Sequence, residues 1–156
     1  MKPILKRRAD NRLAKLARMP GGRTVASIET DVEARMEVLK DACLTAIQDR
    51  VQDIVRIAGQ MPRPPGGEDL GRLYGLCNEV VGLAGVAHLE DAGRAAMSFC
   101  QLLDGWRSGK APWSAAPFDV HLGALQLLSQ PDSDLGQAAR DHMVDGLHAV
   151  VRRALS

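Results

Sequence analysis

Gly71-Arg72-Leu73-Tyr74-Gly75-Leu76-Cys77-Asn78-Glu79-Val80-Val81-Gly82-Leu83-Ala84-Gly85 is the stretch on which the fold turns. Gly71, Gly75, Asn78, Gly82 and Gly85 follow one another at steps of four, three, four and three. Leu73, Leu76, Cys77, Val80 and Leu83 stand between them. Helical periodicity puts the small residues on one side and the apolar ones on the other. Each glycine in a helix interior costs about 0.8–1 kcal/mol relative to alanine, so the four glycines together cost ~3–4 kcal/mol. Two arrangements explain such a strip. Either a neighbouring helix of the same bundle packs on it, or it stays bare so that another protein can approach the backbone.

The helical pattern extends in both directions. Towards the C-terminus, Ala92, Ala96, Phe99, Leu103 and Trp106 predict a helix over about 88–107. Residues 111–117 read as a loop, and Trp106 and Trp113 are placed to seal a bundle end. Phe118, Leu122, Leu125 and Leu128 predict a helix over about 118–129. Ser133 is placed to cap a last helix over about 134–155, with Ala139, Met143, Leu147, Val150 and Ala154 inward. Short connections favour antiparallel neighbours, so 68–156 is expected to form an antiparallel four-helix bundle in an all-α protein.

Towards the N-terminus, Met61-Pro62-Arg63-Pro64-Pro65-Gly66-Gly67 stops any helix and is the clearest boundary in the sequence. Before it, Val25, Ile28, Val32, Met36, Leu39, Cys43, Ile47, Val51, Ile54 and Ala58 step by threes and fours throughout. They predict one helix within 24–61, roughly 50 Å long at 1.5 Å per residue. Such a helix either projects or pairs as a homodimer through residues 25–60, or it breaks near Asp49-Arg50 and folds back. Thr24 is placed to cap it. Residues 1–23 read as a flexible basic arm, with eight basic residues against Asp10 alone, a balance of +7. The remainder carries 12 basic and 18 acidic residues, a balance of −6. Beside a plain solvated tail, the usual fate of a charged terminus, the arm has three readings: nucleic acid, an anionic membrane, or an acidic protein surface. It lacks the aromatic residues that stack on bases and the bulky apolar face of a membrane-surface helix.

Composition narrows the class. Aromatic residues make up only 3%, and Ala, Leu, Val and Met fill the apolar positions, which suits helix-on-helix packing. No run approaches the ~18 apolar residues of a membrane span, and no apolar run follows the basic start as in a secretory signal. A cytoplasmic location is expected. Cys43, Cys77 and Cys100 are widely spaced without a CxxC or Cys/His cluster, so they read as small buried thiols rather than metal ligands. His142 and His148 are six apart and face different ways, which leaves no metal pair. No catalytic triad, phosphate loop or paired-carboxylate cleft is present, and no enzyme activity, metal or cofactor is expected.

The order of residues from Leu73 to Gly85 resembles the central motif of histidine-phosphotransfer domains, where His, then Lys three positions on, then Gly, sit on one helix. Asp91-Ala92-Gly93-Arg94 through Cys100-Gln101-Leu102-Leu103 is similar to the family's next helix. Val120-His121-Leu122-Gly123-Ala124-Leu125-Gln126-Leu127-Leu128 and Gly146-Leu147-His148-Ala149-Val150-Val151 resemble later helices of alphaproteobacterial members. Together these stretches span about residues 68–155. The family's phosphoaccepting His falls on Asn78 and its Lys on Val81, while Gly82 is retained. An amide nitrogen has given its lone pair to the carbonyl and does not attack an aspartyl phosphate as imidazole does. Valine does not neutralise phosphoryl charge.

The resemblance therefore implies a non-catalytic adaptor of a two-component or chemotaxis pathway. It would bind a response-regulator receiver domain or a histidine kinase through Tyr74, Asn78, Val81, Gly82 and Gly85, without nucleic acid as partner. Accessory proteins of alphaproteobacterial chemotaxis operons are similar in having a basic arm and such a body. The acidic phosphorylation site of receiver domains makes the third reading of the arm the one the resemblance implies. Two alternatives stand beside it: an active phosphotransfer protein using a displaced histidine such as His88, and a structural helical dimer. His121 is expected to be packed or hydrogen-bonded rather than reactive.

Overall fold

Apolar residues at three- and four-residue steps make amphipathic helices, and prolines and glycines end them. The computed structural model obeys both rules. It describes residues 25–131 and 133–156; the basic arm at 1–23 and the Thr24 cap lie outside the described residues. Five helices follow in order: α1 Val25–Gln60, α2 Gly67–Ala84, α3 Glu90–Arg107, α4 Ala115–Leu128 and α5 Gln137–Ala154. No strand occurs among the described residues, so the protein is all-α there. α1 runs unbroken through Asp49 and Arg50.

The chain divides into two compact units, Met1–Met36 and Glu37–Ser156. In the first, the described residues belong to α1, and Val25, Ile28, Val32 and Met36 are exposed. The second contains the hydrophobic core. Cys43, Ile47, Val51, Ile54 and Ala58 of α1 join Leu73, Cys77 and Val80 of α2, Phe99, Leu102 and Leu103 of α3, Phe118, Leu125 and Leu128 of α4, and Val144, Leu147 and Val151 of α5.

α3 is the most enclosed helix. Ala92, Ala95, Ala96, Ser98 and Gly105 leave room on several of its sides, and it packs directly on α2, α4 and α5. Individual contacts set the helix directions. Gly93 meets Ala84, and the Cys100 thiol donates to the Tyr74 carbonyl at 3.8 Å, so α2 and α3 run antiparallel. Ser98 reaches His121 and Phe99 meets Phe118, so α4 runs back along α3. Gln137 donates to Asp91 and Arg94 to Asp141, so α5 runs parallel to α3. The second half of α1 lies beside α2, through Arg50 and Glu79 at 2.5 Å, and beside α4, across a cleft shared by Gln48, Gln52, Gln126 and Gln130.

Residues 68–156 share their core with part of α1: residues 43–58 form one core with α2 to α5. α5 packs on α3 and α4; an α2–α5 pair is not among the packed helix pairs of the described residues. The Pro-Gly loop read above as a boundary lies inside the second unit. Bidentate contacts from Arg63 to Asp119 at 2.7 and 3.0 Å hold it against α4. Prolines and glycines report that a helix stops; they carry no information about which residues its neighbours bury.

Two further expectations change at α5. Its buried row is Val144, Leu147 and Val151, whereas Ala139 is exposed and Met143, Val150 and Ala154 are only half-buried. The helix has two adjacent apolar rows, and the one with more bulk inside meets α3 and α4. Ser133 does not cap it, since the N-cap is Gly136 and Ser133 instead accepts from Arg140. The tryptophans behave as expected of an end seal: their rings lie 6.2 Å apart, and Trp106 stands 6.4 Å from Phe118.

Candidate docking face of α2

Leu70, Leu73, Cys77, Val80 and Ala84 turn inward and fix the rotation of α2. That rotation sets the opposite row outward. Gly75, Asn78, Gly82 and Gly85 are exposed and Gly71 is half-buried. A Cβ built on Gly71, Gly75, Gly82 or Gly85 would meet nothing within 4 Å. The packing explanation for the strip is therefore excluded within the described residues, because no neighbouring helix occupies the space above these glycines. Gly93 and Gly105 are the contrasting cases. A Cβ on Gly93 would press on Ala84, and one on Gly105 would collide with Leu155, so those two glycines do serve internal packing.

The five residues singled out from the sequence share this face. Asn78, Gly82 and Gly85 form its exposed centre, and Tyr74 and Val81 are half-buried on the flank towards α3. Tyr74 is held in place twice: its carbonyl accepts from Cys100, and the Arg107 guanidinium lies 5.4 Å from its ring centre. Two shallow clefts border the face. One, of about 310 Å³, lies towards α1 and is lined by Asp53, Arg56, Arg72, Gly75, Leu76 and Glu79. The other, of about 300 Å³, lies towards α3 and α5 between Val81, Gly85, Gly93, Arg94, Met97 and His148. Sequence reasoning missed Met97 and His148 as neighbours of the strip, because their approach depends on how α3 and α5 pack.

The remaining chemistry-bearing residues lie elsewhere. Cys43, Cys77 and Cys100 are free and buried, as expected. A hydrogen bond with Cys100, together with burial, holds the Cys77 thiol well above its ordinary range and keeps it protonated. His121 is 1% exposed, with Nδ1 donating to the Pro117 carbonyl at 2.8 Å. Its Nε2 then accepts from the Ser98 hydroxyl at 3.1 Å, and Phe99 stacks on the ring at 5.5 Å. Both nitrogens are engaged, so His121 is a packing residue. His88 is exposed in the turn before α3 with φ 54°. Leu89 N–H donates to the Ala84 carbonyl at 2.9 Å, so His88 occupies the left-handed position of a helix-ending turn. His142 is exposed and His148 half-buried.

No group of three or more His, Cys, Asp and Glu side chains placed to hold a metal ion occurs among the described residues. None of their helices is long and apolar enough to cross a membrane. Compared with known proteins, the chain matches no protein-family model, no curated protein and no solved structure.

Proposed function

We propose that this protein is a non-catalytic signalling adaptor that docks a receiver domain or a histidine kinase on the exposed face of α2, in the manner of a phosphotransfer domain without its histidine. The observation that carries the reading is the open strip at Gly75, Asn78, Gly82 and Gly85, which no part of the described chain covers. Gly85 is the residue that ends the helix. Gly75 and Gly82 lie inside α2, where glycine is unfavourable by about 1 kcal/mol, and no internal contact compensates there. A close-approaching partner does, because its side chains can reach the α2 backbone only where no Cβ intervenes.

Asn78 in the centre of the face gives the docked partner hydrogen-bond donors and an acceptor but no nucleophile for an aspartyl phosphate. Val81 adds apolar contact where a lysine would add charge. On this reading the protein recognises a phosphorelay component and withholds the reaction, in the cytoplasm where such components work. The test is incubation with phosphorylated receiver domains and autophosphorylated kinases of the same host. The reading expects a complex and no acid-labile label on this chain. Acid-labile label on His88, His142 or His148 would replace it with an active phosphotransfer function.

A further inference from the structure

The apolar stripe of α1 changes partner midway. Cys43, Ile47, Val51, Ile54 and Ala58 are buried, whereas Val25, Ile28, Val32, Met36 and Leu39 are between 46% and 71% exposed. The exposed five are separated by steps of three, four, four and three, a spacing that reads the same from either end. A second copy laid antiparallel, with a two-fold axis at Val32, sets Val25 against Leu39, Ile28 against Met36 and Val32 against itself. Every apolar residue then meets an apolar residue, which is the self-complementarity a two-fold interface requires.

We propose that residues 25–39 of α1 pair antiparallel with the same residues of a second copy of this chain. Charge selects the direction. The 23 residues at the N-terminus carry +7 and the rest of the chain −6. A parallel pair would start two +7 segments side by side, at the 8–10 Å spacing of packed helices and close to the ~8 Å screening length at physiological salt. An antiparallel pair separates their starting points by roughly 21 Å along the helix axis. The seam has five side chains per copy, so the dimer is weak and concentration-dependent, with Kd on the order of micromolar.

The test uses the full chain in analytical ultracentrifugation from about 1 to 100 µM, a range that brackets a micromolar Kd. The mass is expected to rise from monomer to dimer. Val32→Glu puts two carboxylates at the axis and is expected to weaken the dimer at least about tenfold, with helix content by circular dichroism unchanged. Single-cysteine variants read the direction independently of that charge. Under mild oxidation Val32→Cys is expected to link to itself, and Val25→Cys to link to Leu39→Cys but not to itself; the native thiols are buried. A monomer throughout, a dimer indifferent to Val32→Glu, or self-linking of Val25→Cys would each overturn the proposal.

Discussion

Gly93 faces Ala84 so closely that a Cβ on Gly93 would stand 2.8 Å from the alanine methyl. Eleven positions earlier, a Cβ on Gly82 would meet nothing within 4 Å. The two glycines predict opposite outcomes. Gly93→Ala overpacks the α2–α3 contact and is expected to destabilise by about 1–3 kcal/mol. Gly75→Ala and Gly82→Ala are each expected to stabilise by about 0.8–1 kcal/mol, the helix-propensity difference alone. Urea titration of the three variants measures both signs. If Gly82→Ala destabilises, the strip serves the fold and not a partner.

His88 holds a left-handed conformation in the turn between α2 and α3, with φ 54°. A side chain there costs about 1–2 kcal/mol relative to glycine. His88→Gly is expected to raise stability by about 1 kcal/mol, read as a higher melting temperature. The same variant leaves the α2 face intact, so partner binding is expected to stay the same.

His121 gives the fold an acid sensitivity. Burial lowers its pKa below 6.5, opposed by the Pro117 carbonyl and aided by nearby His148. Below about pH 6.5 the unfolded chain takes up a proton that the folded state resists, so stability is present above that pH and is lost as pH falls through the depressed folded value. The melting temperature is expected to drop between pH 7.5 and 5.5. His121→Gln is expected to be less stable at pH 7.5 but to drop less over the same interval. Equal drops in both proteins would remove His121 as the cause.

Ile54 is fully buried, whereas Ile28, 26 residues earlier on the same stripe, is 46% exposed. Ile54→Ala is expected to cost about 2–5 kcal/mol, measured by denaturant unfolding at low protein concentration. Ile28→Ala is expected to stay within about 0.5 kcal/mol in the same measurement. Equal effects would contradict the assignment of 43–58 to the core.

The stripe of α1 shows what was legible in the sequence and what was not. Periodicity places Val25 to Ala58 on one helical stripe, because which side chains share a face is a local property, but it leaves open a break near Asp49-Arg50, where the structure runs on unbroken. It could not locate the change between Leu39 and Cys43 from bare to buried, since that depends on α2 and α4, which come later in the chain. α5 repeats the lesson: two apolar rows were available, and the contact with α3 chose Val144 and Val151 over Met143 and Val150. That Gly71, Gly75, Asn78, Gly82 and Gly85 share one side of a helix is legible from their spacing; whether a neighbouring helix covers that side is not. Nor is the distinction between Gly82 and Gly93, as it depends on Ala84 standing opposite only one of them.

The claim that α2 is a docking face is tested most directly by amide chemical-shift mapping of the labelled protein during titration with a receiver domain of the same host. The account predicts shifts concentrated at Tyr74, Asn78, Val81, Gly82 and Gly85, and their loss when Gly82→Arg fills the strip. Shifts confined to other helices, or binding unchanged by Gly82→Arg, would contradict it.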